Sequence, residues 1–377
     1  MNKKLKVLPI LAMGLMLVAC NGGTSSSSKP TSKNDDVNFT LKVGSYVELV
    51  KNDPTNTNTI AVSSAAVILK DDTIVDAYFD VLQAPFTITD GKVSILTTGK
   101  HQTEQAGDKV IETKQELKDR YAMANSDKTK EGEWYVQAGN FAKYTVGKTI
   151  SEVTSKNYKN AYNPDGTEIV SGCSISQTNF TTALKVITDT KTFKAPANTV
   201  SAGLGYKVSA LSADNVLTVT LAGSATDKDG KIYETSINAY QIPLMVSSTD
   251  ATKIAYNPIN SKNQSYAQLK AENFKDHTTA SADNKYYTEV LSKRELKEKY
   301  AMKENTEEAQ KMEWYNQANN FARYAKGKIA SEIAGKSYKS NNNPKGTVEV
   351  AGCTITMEDF ATAISKSATN KSGLKAK

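Results

Sequence analysis

The chain has 377 residues, a formal charge of +7, 39% hydrophobic residues and a mean hydropathy of −0.47, which suits soluble globular material long enough for two cores. Lysine and glutamate are interspersed rather than gathered in a basic stripe, which argues against a nucleic-acid binder. The only histidines, His101 and His277, lie in polar segments without ligand-like spacing, so neither a zinc site nor a histidine-based hydrolase finds support.

In chain order, Lys3, Lys4 and Lys6 precede an apolar run from Val7 to Ala19 and then Cys20, the layout of an export signal. The run is too short to span a bilayer, which takes about 20 residues. Leu17-Val18-Ala19-Cys20 resembles the lipobox of bacterial lipoproteins. That resemblance implies cleavage before Cys20, lipid on its thiol, and retention at the extracytoplasmic face of the cell membrane. Residues 1–19 are therefore expected to be a signal peptide, and its removal takes three lysines and lowers the charge to +4. Residues 20–36, with Ser25 to Ser28 among Gly, Thr, Lys and Pro, read as a flexible tether.

The rest contains one long internal repeat. EWYVQAGNFAKYTVGKTISEV from Glu133 and NPDGTEIVSGCSISQTNFTTAL from Asn163 recur as EWYNQANNFARYAKGKIASEI from Glu313 and NPKGTVEVAGCTITMEDFATAI from Asn343, at a constant offset of 180. Upstream, Arg120-Tyr121-Ala122-Met123 answers Lys299-Tyr300-Ala301-Met302, and Ile74, Asp80 and Gln83 answer Ile232, Asn238 and Gln241. The second copy carries an extra polar loop within Asn257 to Lys285. A repeat this long predicts duplicated domains rather than a solenoid.

Within each copy the pattern predicts an α+β fold, an antiparallel sheet with packed helices. Alternating Thr59–Leu69 and Thr73–Leu82 predict a hairpin through Lys70-Asp71-Asp72, and Asn215–Leu221 with Lys231–Tyr240 predict another around Asp229-Gly230. Trp134, Ala138, Phe141, Ala142 and Thr145 fall on one helical face, and Trp314, Ala318, Phe321 and Ala322 repeat it. Both tryptophans read as core anchors, whereas Tyr121 and Tyr300 have a better claim to a pocket. A closing helix carries Phe180, Ala183, Leu184 and Ile187 in the first copy and Phe360, Ala363 and Ile364 in the second. Ser176 is placed to cap the first, and Thr356 and Asp359 have capping-box spacing at the second. Few apolar residues occupy 188–198, so the copies are expected to be domains spanning 37–190 and 198–369 that fold independently.

A small-residue turn precedes each closing helix, Ser171-Gly172-Cys173-Ser174 and Ala351-Gly352-Cys353-Thr354. Cys173 and Cys353 occupy equivalent places, so two separate buried thiols are expected rather than a bridge. The turns resemble the Asp-x-x-Ser/Thr-Gly-Ala-Thr/Ser stretch of the FMN-binding domain of exported bacterial redox proteins, including tandem-domain lipoproteins of Gram-positive bacteria. Cysteine replaces alanine in both copies. Glu168 replaces aspartate in the first, and Val348 and Ala351 depart from the pattern in the second.

The resemblance implies FMN esterified by a separate flavin transferase to Ser174 or Thr354, with Ser171, Gly172, Cys173, Gly352 and Cys353 around it. Free N–H groups and the following helix would stabilise the phosphate. It further implies an electron carrier fed by a membrane quinone oxidoreductase. Some family members also release a pheromone peptide from the signal segment, here Ile10 to Ala19. The competing expectation is a cofactor-free surface lipoprotein that binds a ligand or acts as a scaffold; a hydrolase is the weakest expectation, because no triad or metal cluster is legible, and a redox carrier or binding protein is favoured over a self-contained enzyme.

Overall fold

The computed structural model describes residues 36–52, 57–89, 92–95, 102–105, 108–123, 131–209, 211–212, 216–246, 254–255, 290–300, 302–303 and 312–373. Cys20, most of the tether, both histidines and the extra polar loop lie outside them. The fold is mixed α+β, with two antiparallel main sheets, a small parallel pair and packed helices.

Strands β1 (Asp36–Asn52), β2 (Thr57–Lys70), β3 (Thr73–Thr89) and β4 (Lys92–Ile95) form one sheet with β9 (Ile187–Pro196), in the order β4-β3-β2-β1-β9. Between them come two small strand pairs, β5 (Gln102–Gln105) with β6 (Asp108–Ile111) and β7 (Tyr158–Lys159) with β8 (Glu168–Ile169). A second sheet joins β10 (Ser201–Val208), β11 (Val216–Thr226) and β12 (Ile232–Pro243). Both expected hairpins form. Asp71 and Asp72 hold positive φ in the first turn, as a tight twisted hairpin demands, and Gly230 does so in the second, longer turn.

The helices follow the same order in each repeat. The first has α1 (Lys114–Leu117), α2 (Trp134–Thr145), α3 (Ile150–Thr154) and α4 (Thr178–Lys185). The second has α5 (Lys293–Leu296), α6 (Trp314–Ala325), α7 (Ala330–Ile333) and α8 (Glu358–Thr369). Local hydrogen bonds recur with them. Ile74 exchanges bonds with Gly147 and Lys148, and Ile232 does so with Gly327 and Lys328. Trp134, Phe141, Phe79 and Phe180 pack α2 and α4 onto the outer face of the first sheet, with ring centroids 5.0–5.7 Å apart. Trp314, Phe321 and Phe360 pack α6 and α8 on the second. Gly44 on β1 and Gly205 on β10 let a closing helix lie directly on each strand, since an added Cβ would run into the carbonyl of Ala183 or Ala363.

Between the sheets lies a third core shared by both repeats. Phe39, Leu41, Val43, Ile60, Val62, Leu82 and Phe86 meet Leu204, Tyr206, Leu217, Val219, Leu221, Tyr240 and Ile242 there. Residues 35–377 form one compact unit, with helices outside and sheets inside. The stretch 188–198, expected to be a linker, supplies β9, antiparallel to β1 from Asp36↔Pro196 to Gly44↔Ile187. Phe193 and Ala195 turn inward into the shared core, which is all the apolar content such an edge strand needs.

The sheet edges meet without a backbone ladder. Asp80 Oδ1 accepts from its own neighbour Val81 N at 2.7 Å, and Asn238 Oδ1 accepts from Ala239 N at 2.9 Å. A side chain that occupies an edge N–H prevents continued strand pairing. The edges are joined instead by side-chain bonds, Ala202 N to Asp76 Oδ2 (2.6 Å) on one side and Ser236 Oγ to Asp189 Oδ2 (2.6 Å) on the other.

Candidate functional site

Each small-residue turn is a β-turn closed by Cys173 N to Val170 O (3.1 Å) or Cys353 N to Val350 O (3.0 Å). Gly172 and Gly352 sit at its third position with φ of +67° and +72°, a conformation that favours glycine. The glycine carbonyl accepts from a helix asparagine, Asn140 Nδ2 at 2.8 Å or Asn320 Nδ2 at 2.7 Å, and an added Cβ would collide with that amide. Ser171 is exposed, and Ser174 and Thr354 are partly exposed.

One buried glutamine in each repeat fixes the acceptor residue. Gln137 Oε1 accepts from Ser174 N (2.8 Å), Ser174 Oγ (3.1 Å) and Ile175 N (3.1 Å), while its Nε2 donates to Gly132 O (2.8 Å). Gln317 Oε1 accepts from Thr354 N (2.8 Å), Thr354 Oγ1 (3.3 Å) and Ile355 N (3.3 Å), and its Nε2 donates to Met312 O (3.2 Å). The turn N–H groups of Ser174 and Ile175, and of Thr354 and Ile355, are therefore engaged by an internal acceptor, ahead of the helices that begin at Thr178 and Glu358. Gln137 and Asn140 stand in the first repeated string exactly where Gln317 and Asn320 stand in the second. That shared polar pair was the available sign of the clamp.

No protein-family model, curated protein or solved structure matches the chain.

The cysteines are separate buried thiols, each in its own repeat's helical core. Burial pushes Cys173 up to about 11 and Cys353 up to about 12, so neither supplies a thiolate near neutral pH. Glu168, in the place of the pattern's aspartate, accepts from Tyr144 Oη at 2.6 Å and pairs with Lys156 at 3.6 Å. The Tyr144 hydrogen bond holds its carboxyl below the usual range. Ser176 Oγ accepts from Thr178 N at 3.3 Å. The capping box expected at the other closing helix does not form, because Thr356 Oγ1 accepts from Asn342 and Asp359 Oδ2 from Ser209.

Trp134 and Trp314 are core residues, and so are the tyrosines given the better claim to a pocket. Tyr121 Oη donates to Gln83 Oε1 (3.2 Å) and Tyr300 Oη to Gln241 Oε1 (2.8 Å). A lysine on the short preceding helix lies over each Tyr–Trp pair: Lys114 Nζ is 4.8 and 5.3 Å from the ring centroids, and Lys293 Nζ is 4.6 and 5.4 Å. Burial lowers Lys114 to about 8, opposed by Glu48 and Asp80, and lowers Lys293 to about 7, opposed by Asp359. The nearby carboxylate has changed elements between repeats. Glu48 on β1 accepts from Asn179 on α4 at 2.9 Å, whereas Ser209 beside β10 donates to Asp359 on α8 at 2.8 Å.

Proposed function

We propose that the chain is a lipid-anchored extracytoplasmic flavoprotein, carrying electrons from a membrane quinone oxidoreductase to acceptors outside the cell. FMN is esterified to Ser174, Thr354 or both, in two FMN-binding-like repeats covering 37–190 and 198–369. The observation that carries this proposal is the doubled turn: the same partly exposed hydroxyl, after a glycine of the same positive φ, held by the same glutamine. Rigid presentation of one hydroxyl at an accessible turn suits attack by a separate transferase. Among the described residues the hydroxyl's bonded partner is an amide, Gln137 or Gln317, which accepts its hydrogen bond but is no general base.

The fit is to the ester rather than to the turn's own N–H groups, which the glutamines occupy. The bound flavin would supply the electron chemistry, and the protein its position. The same occupancy favours the alternative function, a cofactor-free ligand-binding lipoprotein. Denatured protein from a host with a working flavin transferase should show covalent yellow fluorescence and a mass gain of one or two FMN groups less water. Ser174→Ala and Thr354→Ala should each remove one increment if both sites are used. A flavin-free chain, beside a control substrate that the transferase modifies, selects the alternative.

The anchor is tested separately. Cys20→Ala should release the protein to the medium or leave an uncut precursor, and membrane retention of a correctly cleaved variant would refute lipid attachment. Among the described residues no helix is long and apolar enough to cross a membrane.

A further inference from the structure

The two repeats differ where the sheet edge meets the Trp helix. In the second repeat this place is filled. Arg294 on α5 donates through Nε to Ile237 O, through Nη2 to Asn319 Oδ1 (2.9 Å), and lies 3.1 Å from Asp189 Oδ2 of β9. Lys191 Nζ adds a bond to Asn319 Oδ1 at 3.0 Å.

In the first repeat the corresponding residues are Gln115 and Gly139. Gln115 Nε2 keeps the bond to the strand, donating to Phe79 O at 3.0 Å, but it is too short to reach further. Gly139 brings no side chain at all, and an added Cβ would meet nothing within 4 Å. What remains is a cavity of about 440 Å³ between α2, the edge of β3 at 77–79 and the segment 369–373 that follows α8. That is within the range of small-molecule sites, about 300–1,000 Å³.

Two features set this cavity apart from a packing fault. A glycine inside a helix is destabilising relative to alanine, and nothing lies close enough to Gly139 to require one. Its effect is to keep the space open. The lining is also chemically sorted: the partly exposed rings of Tyr78 and Tyr135 give apolar surface over a floor of buried Ala77, Phe79, Ala138 and Ala142, Lys118 and Lys143 give positive charge, and the flanking carboxylates Glu116 and Asp76 are bonded to Lys366 and Asn370 and to Ser372. Lys118 and Lys143 are exposed, whereas Lys371 Nζ is held by the carbonyls of Asp227 (2.6 Å) and Lys228 (3.2 Å).

We propose that this cavity binds a small organic anion with a flat apolar body, at a site that the second repeat has closed with Arg294 and Asn319. The apolar body would lie along the helix at Gly139, and its charged group would face Lys118 and Lys143. The site is independent of Ser174, which is held from Gln137 on another side of the same helix.

The test uses the purified full chain and calorimetric titration with 2-naphthoate, alongside its neutral carboxamide. One saturable naphthoate site per chain is expected, with the carboxamide at least about tenfold weaker. Gly139→Phe, which fills the cavity, and the double variant Lys118→Glu/Lys143→Glu, which reverses the charge on exposed side chains, should each weaken naphthoate binding by about tenfold or more at an unchanged melting temperature. Gly139→Asn, the second repeat's own residue, should do the same if Gly139→Phe does not fold. Absence of saturable naphthoate binding, equal binding of acid and amide, or wild-type affinity in the folded variants would each overturn the proposal.

Discussion

Fragments 36–197 and 198–373, produced separately, should each lack a cooperative thermal transition, and mixing them should restore one. Each repeat has its own hairpin, Trp helix and closing helix, the inventory from which independent folding is expected. The packing points the other way, because among the described residues the inner face of each sheet is covered mainly by the other sheet. Separation would expose Leu204, Leu217, Leu221, Ile242 and Leu244, all essentially inaccessible in the whole chain. At about 2 kcal/mol for each buried leucine or isoleucine, these five amount to roughly 10 kcal/mol, comparable with the total stability of an ordinary domain, about 5–15 kcal/mol. The first fragment loses as well, since Leu41, Ile60, Val62 and Phe86 face the same interface. Circular dichroism melting of each fragment and of their mixture checks this. A full-size transition from either fragment alone would show that the outer helical core suffices.

Much of this arrangement was legible in the residues. The period-two runs on either side of Asp71-Asp72 and Asp229-Gly230 became hairpins with both faces buried, and the Trp–Phe stripes became α2 and α6 with one face buried. What the residues hid was relation between elements. A strand such as β9, with only Phe193 and Ala195 turned inward, has too little apolar alternation to stand out from a polar linker. The inner sheet faces were visible as apolar, but their partner, the equivalent face of the other repeat, was not. The turn at Gly172 was legible and its clamp was not, since Gln137 looks like an ordinary polar helix position until its side chain is found accepting three hydrogen bonds. Thr356 and Asp359 show the converse: correct spacing for a capping box, with both side chains drawn off by Asn342 and Ser209.

Asp80→Asn should stabilise the protein at pH 8 and change little at pH 4. Asp80 is fully buried on β3, and its Oδ1 accepts from Val81 N (2.7 Å) and Gln115 N (3.2 Å). Burial is the main cause that pushes its carboxyl up to about 7, the Glu116 charge adds to it, and hydrogen bonds from Thr113 and the two backbone groups oppose it. A carboxyl raised in the folded state binds its proton more tightly there than in the unfolded chain. Its favourable contribution is complete below the unfolded value near 4 and is lost as the pH rises through about 7. A rise of about three pH units corresponds to roughly 4 kcal/mol at most. The second repeat carries an amide at the equivalent place, where Asn238 accepts from Ala239 N (2.9 Å) and Arg294 N (3.3 Å) and donates to Thr188 Oγ1 (3.3 Å); the buried Asp80 Oδ2 has no hydrogen-bond partner, so an unmet Nδ2 there trims the gain. Other groups titrate in the same window. Asp76, raised mainly by burial to about 7, gives the same slope, while Lys114 and Lys293, lowered by burial, make stability rise with pH above about 7 to 8. Lys114 also loses a favourable charge when Asp80 is replaced, which trims the gain. Subtracting wild type from variant at each pH leaves Asp80 and that coupling. Urea unfolding from pH 4 to pH 8 should therefore give a difference that grows through pH 5 to 7 and reaches about 2–4 kcal/mol. A difference that stays flat across this range would mean that the buried carboxyl is not protonated near neutral pH in the folded state.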